Sequence, residues 1–238
     1  QEIVKSKDGK DVILSSTGTK LNNLGKLTIS ADGKLHSELI SDLEIEKDAK
    51  TKEVVDKIVA EFQTLLNKVV AHTDVDLTTQ NPEGTARAIR NRETNLGDLC
   101  ADAYRVTLGA DIAFVNGGGI RADEKAGYWT FKTCKQVSPF GNVACLMSVT
   151  GKQIQDALEF AARFAGTEKE NGGFLHVAGA SYEIHADIPN TVQTDEKNVW
   201  IGSATGTPRV QNVKIYNKAS GTYEPLDESK TYALAGMN

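Results

Sequence analysis

The sequence predicts an α/β fold in which sheet and helix lie in mixed layers. Three observations carry that expectation. Short apolar runs bounded by polar residues, Ile112-Ala113-Phe114-Val115 the clearest, read as buried strands. Apolar residues at helical spacing mark other segments, near 48–71, 95–108 and 151–165. Glycine- and proline-bearing turns separate the two kinds of element. At 238 residues the chain has room for one large domain or two small ones.

Taken in order, residues 1–40 read as hairpins. Glu2-Ile3-Val4 and Val12-Ile13-Leu14 flank the turn Lys7-Asp8-Gly9-Lys10, and strands follow at 25–30 and 33–36. So few residues of strand bury little, so this part is expected to complete or cap another unit. Val54, Val55, Ile58, Val59, Phe62, Leu65, Leu66, Val69 and Val70 then predict one helix from 48 to 71, with a domain boundary near it. Asn81-Pro82-Glu83-Gly84 is a turn. Thr94 or Asn95 caps a helix to about 108, with Leu96, Leu99, Cys100 and Ala103 inward. Beyond the strand at 111–115, Pro139-Phe140-Gly141 makes a rigid turn and Cys145–Val149 a strand. Thr150 and Gln153 form a capping box for a helix over 151–165, with Ile154, Leu158, Ala161 and Phe164 inward. A further strand begins in Gly172–Gly179, and 210–216 is expected to pair with 229–235 across the turns at 217–222.

The composition narrows the function. A net charge of −5 argues against nucleic-acid binding, and no apolar run reaches the roughly 18 residues of a membrane span. Cys100, Cys134 and Cys145 are too few and too irregular for a disulfide scaffold or a zinc site; they read as buried thiols, with one pair able to close under oxidising conditions. The four histidines show no metal-type spacing, and there is no nucleophile elbow or phosphate-loop lysine. Gln1 opens the chain without a methionine and Gly236-Met237-Asn238 ends it on a strand, so both ends look cut from something longer.

What remains is a recognition site. The strand at 111–115 breaks into Asn116-Gly117-Gly118-Gly119-Ile120-Arg121. Bare backbone there allows positive φ or close approach, framed by an amide and a guanidinium fork. Of seven arginines, Arg87, Arg90, Arg92 and Arg121 lie in or beside this motif and the one before the second helix. That concentration points to an anion or base site, against the plainer reading of a solvated basic loop. Phe140, on its turn, is either a ring presented to a ligand or an ordinary core phenylalanine.

Four motifs in order resemble those of the 5′-nucleotidase family. They are Arg90-x-x-Glu93-Thr94-Asn95-Leu96-Gly97-x-Leu99-x-x-Asp102-Ala103, Asn116–Arg121, Pro139–Asn142 and Gly172–Leu175. The resemblance implies a C-terminal substrate-binding domain over 76–238, a linker helix at 41–75, and at 1–40 the last strands of an N-terminal metallophosphoesterase domain. It further implies that two divalent metal ions sit in that N-terminal domain and do the hydrolysis, with no cofactor in this segment. Arg90 and Arg121 are similar to arginines near the phosphate and ribose, Asn116 to the amide contacting the base, and Phe140 to one wall of an aromatic sandwich around the base; Gly118, in the same turn, counts with them as substrate-binding. Three positions depart from the pattern. Ala86 stands where many relatives carry a second arginine, for which Arg87 is an imperfect substitute. His176 replaces a usual glutamine. The second aromatic wall and a ribose-binding aspartate are expected just past Asn238. The implied protein is a secreted, periplasmic or cell-surface hydrolase of nucleotides or nucleotide-sugars, its partners the substrate and the N-terminal domain. This segment alone is expected to be inactive. The competing reading is a non-catalytic nucleotide-binding or adhesive module that kept the fold.

Overall fold

The computed structural model describes residues 2–19, 21–41 and 45–238. Gln1, Lys20 and residues 42–44, which fall within the expected linker at 41–75, lie outside the described residues. The chain divides into two compact units, one ending at Gln63 and one beginning at Thr64.

In the first unit β1 (Glu2–Lys5) pairs with β2 (Asp11–Leu14), and β3 (Asn23–Ile29) with β4 (Leu35–Ser41), both antiparallel. The two hairpins close on the same pentapeptide pattern, Ser6-Lys7-Asp8-Gly9-Lys10 and Ser30-Ala31-Asp32-Gly33-Lys34. In each the serine and lysine pair through backbone and hydroxyl, and the glycine adopts φ of 80°. A three-residue hairpin loop needs that left-handed position, and glycine takes it without a Cβ penalty. No described residue before Leu77 is buried. The apolar stripe of α1 (Ala49–Leu66), Val54, Val55, Ile58, Val59, Phe62 and Leu65, is exposed along its whole length.

The predicted helix over 48–71 overshoots. It ends at Leu66, and Val69–Thr73 is a strand, β5, paired antiparallel with β7 (Gly127–Thr130). Val69 and Val70 continue the helical spacing, but as β-branched residues they suit a ladder, and pairing to β7 decides the outcome.

In the second unit the central sheet has the order β8–β15–β6–β9, formed by Ala144–Thr150, Thr231–Met237, Ile112–Asn116 and Leu175–Ala178. Strands β15 and β6 are parallel; the other neighbours are antiparallel. Successive side chains on these two strands enter different cores. Ala113, Val115 and Ala235 pack with Leu96 and Ala101 of α2 (Asn95–Leu108), together with Trp129 and Val137. Ile112 and Tyr232 pack on the other face with Ile154 and Leu158 of α4 (Gly151–Ala161). There they meet Val210, Val213 and Ile215 of β13 (Val210–Asn217). A strand covered on both faces reads as an unbroken apolar run, which is why β6 is so plain in the sequence. A three-stranded sheet, β10 (Ala180–Ile184), β13 and β14 (Thr222–Pro225), completes that second layer, and β11 (Gln193–Thr194) and β12 (Trp200–Gly202) form a separate antiparallel pair.

Thr94 caps α2 through Gly97, and the Thr150–Gln153 capping box starts α4 as expected, though α4 ends at Ala161 and a 3-10 turn carries on to Phe164. Three expectations need correction. Leu99 and Ala103 face solvent; the inner face of α2 runs through Leu96, Cys100, Ala101, Tyr104 and Leu108. Segment 229–235 does not pair with 210–216: β13 turns back on β14, while β15 enters the central sheet. A third helix, α3 (Phe131–Val137), stands where none was predicted, its capping box built from Thr130 and Thr133 rather than a glutamate. The three cysteines are free and half-buried, and burial pushes the Cys100 thiol up to about 12.

Gly117–Gly119 form a 3-10 turn without positive φ, so close approach is their use. A Cβ on Gly117 would fall 1.9 Å from the Ile89 carbonyl oxygen, and one on Gly97 1.9 Å from the His176 ring. Gly117→Ala should therefore cost about 1–3 kcal/mol in urea unfolding. Gly141→Ala, with nothing within 4 Å of the added carbon, should be silent.

His176 is 2% exposed, and burial lowers its pKa, so it folds neutral. An imidazole depressed below its unfolded value, about 6.5, stabilises the fold above that pH and loses the contribution as pH falls. Asp98 runs the opposite way: burial, then the Glu93 charge, raises it to about 6, and its contribution is lost as pH rises from its unfolded value through 6. The stability difference between wild type and His176→Gln should shrink between pH 7.5 and 5.5. A difference independent of pH would show that His176 does not titrate across folding.

Candidate functional site

The segment before α2 is pinned from within. Ala88 and Ile89 are buried, and both their N–H groups donate to the Thr79 carbonyl. The Ile89 carbonyl meets His176 Nε2 at 2.8 Å. With Ile89 fixed inward, the flanking Arg87 and Arg90 project outward. Arg87 Nε donates to Glu170 Oε1 at 2.8 Å, its Nη2 bonds Glu170 Oε2, and Arg90 Nη1 donates to the same Oε2 at 3.2 Å. The Arg87 hydrogen bond is the main cause holding Glu170 below the usual carboxylate range, and Glu170 in turn raises the Arg87 guanidinium. Arg90 Nε is buried without an acceptor.

The residues after Glu170 join this pair to the glycine turn. The Asn171 N–H donates to the Arg90 carbonyl at 3.0 Å, and its side-chain amide donates to Ala161 at 2.9 Å. The Gly172 carbonyl accepts from Asn116 Nδ2 at 3.0 Å and from the Gly118 N–H at 2.9 Å. Segment 170–172 thus touches four of the six predicted site residues. Arg121, on the far side of the turn, donates from its N–H to Val137 and from Nη1 to the Gly118 carbonyl at 3.3 Å. Its guanidinium carbon lies 5.9 Å from the ring centroid of Phe140, a residue that is 49% exposed.

The structure therefore links Arg87, Arg90, Asn116 and Gly118 through one short segment, and Gly118, Arg121 and Phe140 through another set of contacts. Phe140 is a surface ring and not a core residue. Sequence reading missed Glu170 and Asn171. The only signal was a carboxylate and amide directly before the Gly172–Gly173 pair already singled out. A cavity of about 770 Å³ lies elsewhere, lined by Arg92, Glu93, Asp98, His176 and Tyr182 among others, and by none of the six predicted residues. Among the described residues no group of three or more His, Cys, Asp or Glu is placed to hold a metal ion, and no helix is long and apolar enough to cross a membrane.

The chain is similar to proteins of known family. The profile described as "5′-nucleotidase, C-terminal domain" matches residues 69–238. The trifunctional nucleotide phosphoesterase protein YfkN of Bacillus subtilis is 35% identical over 161 residues, covering 66% of this chain and 10% of that protein. Protein UshA of Escherichia coli is 30% identical over 174 residues, covering 72% of this chain and 26% of that protein. The crystal structure of a 5′-nucleotidase precursor from Thermus thermophilus superposes with a TM-score of 0.68 at 30% identity, covering all of this chain and 44% of that one. The chain thus spans less than half the length of these relatives. Since the matched profile runs through β5, the glycine turn and the central sheet to Asn238, the chain belongs to the 5′-nucleotidase C-terminal domain family.

Proposed function

We propose that this chain supplies the nucleotide-recognition surface of a longer phosphoesterase, secreted or periplasmic as the resemblance implies, that hydrolyses nucleotides or nucleotide-sugars. One observation carries the reading: a half-exposed phenylalanine ring stands beside a guanidinium that is itself anchored to the glycine turn. An aromatic face offers sequence-tolerant stacking to a base, and a guanidinium fork suits phosphate or ribose oxygens. Asn116 adds an amide that donates and accepts at the same turn. The printed names of the relatives, nucleotide phosphoesterase and 5′-nucleotidase, fit such a ligand.

The hydrolytic centre implied by the resemblance holds two divalent ions, which polarise a phosphoryl group and supply hydroxide. The described residues do not offer such a centre, so no hydrolytic step is assigned to them. Their part is to bind and orient the substrate.

In titrations of the chain with AMP, followed by NMR, Arg121→Ala should weaken binding by about 1.5–3 kcal/mol, the range for a hydrogen bond to a charged group. Phe140→Ala should cost about 1–3 kcal/mol with AMP and much less with phenyl phosphate, because base stacking is what it removes. Equal affinities in wild type and both variants would refute the nucleotide site. The purified chain should not hydrolyse AMP or UDP-glucose with added Mn²⁺, Zn²⁺ or Co²⁺; metal-dependent turnover would place the catalytic centre within these residues.

A further inference from the structure

We infer that Glu170 is an internal competitor for the phosphate site: its carboxylate occupies the Arg87–Arg90 pair, and an incoming phosphate must displace it. This rests on the nucleotide-binding reading and adds what sets the balance between phosphate and nucleoside recognition.

Geometry supports the competition. Glu170 meets Arg87 through both of its oxygens and shares one of them with Arg90. A guanidinium fork matches carboxylate and phosphate in the same way, so both ligands use the same donors. The arrangement is also incomplete, since Arg90 Nε keeps no acceptor. A buried donor left unpaired marks a site that its internal ligand does not saturate.

The carboxylate is free to leave. Its side chain is 38% exposed, and the preceding residues Thr167, Glu168 and Lys169 face solvent. Asn171, by contrast, is 6% exposed and fixed through Ala161 and Arg90. A rotation of the Glu170 side chain therefore leaves the anchor of the segment in place. While it is seated, two guanidinium charges are offset by one carboxylate. Every anion loses affinity by the same factor, the equilibrium constant of the internal contact. A neutral nucleoside does not lose it. The consequence is a site that draws more of its affinity from base and ribose, and less from phosphate, than its arginines alone would give.

The test compares inorganic phosphate, AMP and adenosine on the full chain, by NMR titration at pH 7.5 and constant salt, with thermal melts as a check on folding. Glu170→Gln should tighten phosphate and AMP by the same factor, about three- to tenfold for a contact this exposed. Adenosine should be unchanged. Glu170→Asp, which keeps the charge but cannot reach both arginines equally, should fall between. In an Arg87→Ala, Arg90→Ala background the glutamine substitution should have no effect. Unchanged or weaker phosphate binding in folded Glu170→Gln, or no phosphate binding in either protein, would overturn the inference and leave Glu170 a brace for the arginines. Tighter phosphate in Glu170→Gln together with AMP binding indifferent to Arg121→Ala and Phe140→Ala would keep the competitor and discard the nucleotide reading.

Discussion

The Ile89 carbonyl is the point on which the site depends. It accepts from His176 Nε2, and the Gly117 backbone approaches it so closely that a Cβ would overlap it. His176 in turn rests against Gly97 in the first turn of α2. Ile89 and Gly97 are thereby both held against one imidazole that comes from far along the chain, and Gly117 is held against the Ile89 carbonyl. An unpaired carbonyl in such a place would carry a full desolvation cost, so the histidine is both a packing group and a required donor. With Nε2 as donor and burial favouring the neutral ring, the tautomer follows from the same contact.

That contact matters because of where β6 ends. The strand is buried on both faces and pinned by β15 and β9, so its last residue, Asn116, stands at a fixed exit from the sheet. Carboxyl ends of strands in α/β sheets are where ligands commonly meet bare backbone, and the glycine turn provides that backbone here. Arg121 then leaves the turn with its N–H tied to the end of α3. The same helix end leads directly to the Pro139–Gly141 turn and its exposed ring. The proximity of Arg121 and Phe140 thus follows from the order of β6, the glycine turn and α3.

Sequence reading was strongest where one local pattern decides the structure. The two-faced burial of β6 produced an unbroken apolar run, and Thr94 and Thr150 announced helix starts because capping is a contact across three residues. It failed where the deciding partner is distant. Val69 and Val70 fit a helix until β5 pairs with β7. Segments 210–217 and 231–237 both alternate like strands, and nothing local says that the second inserts beside β6 while β14 takes the nearer place. Glu170 has the same character. The residues before it are an ordinary exposed loop, and its chemistry exists only because Arg87 and Arg90, 80 or more residues earlier, arrive beside it.

Rigidity and exposure are divided between backbone and side chain throughout this unit. The groups that fix the geometry, Ile89, Gly117, His176 and Asn171, are buried and take their partners from main chain. Those proposed to meet a ligand, Arg121 and Phe140, reach outward from that frame, and Arg87 and Arg90 do so already paired. Holding guanidinium groups in place costs side-chain entropy, and a seated carboxylate offsets it before any ligand arrives. The price is competition at the same donors. A site built this way is preorganised in position while its charge stays partly masked, so ordering of the arginines and their affinity for anions need not rise together.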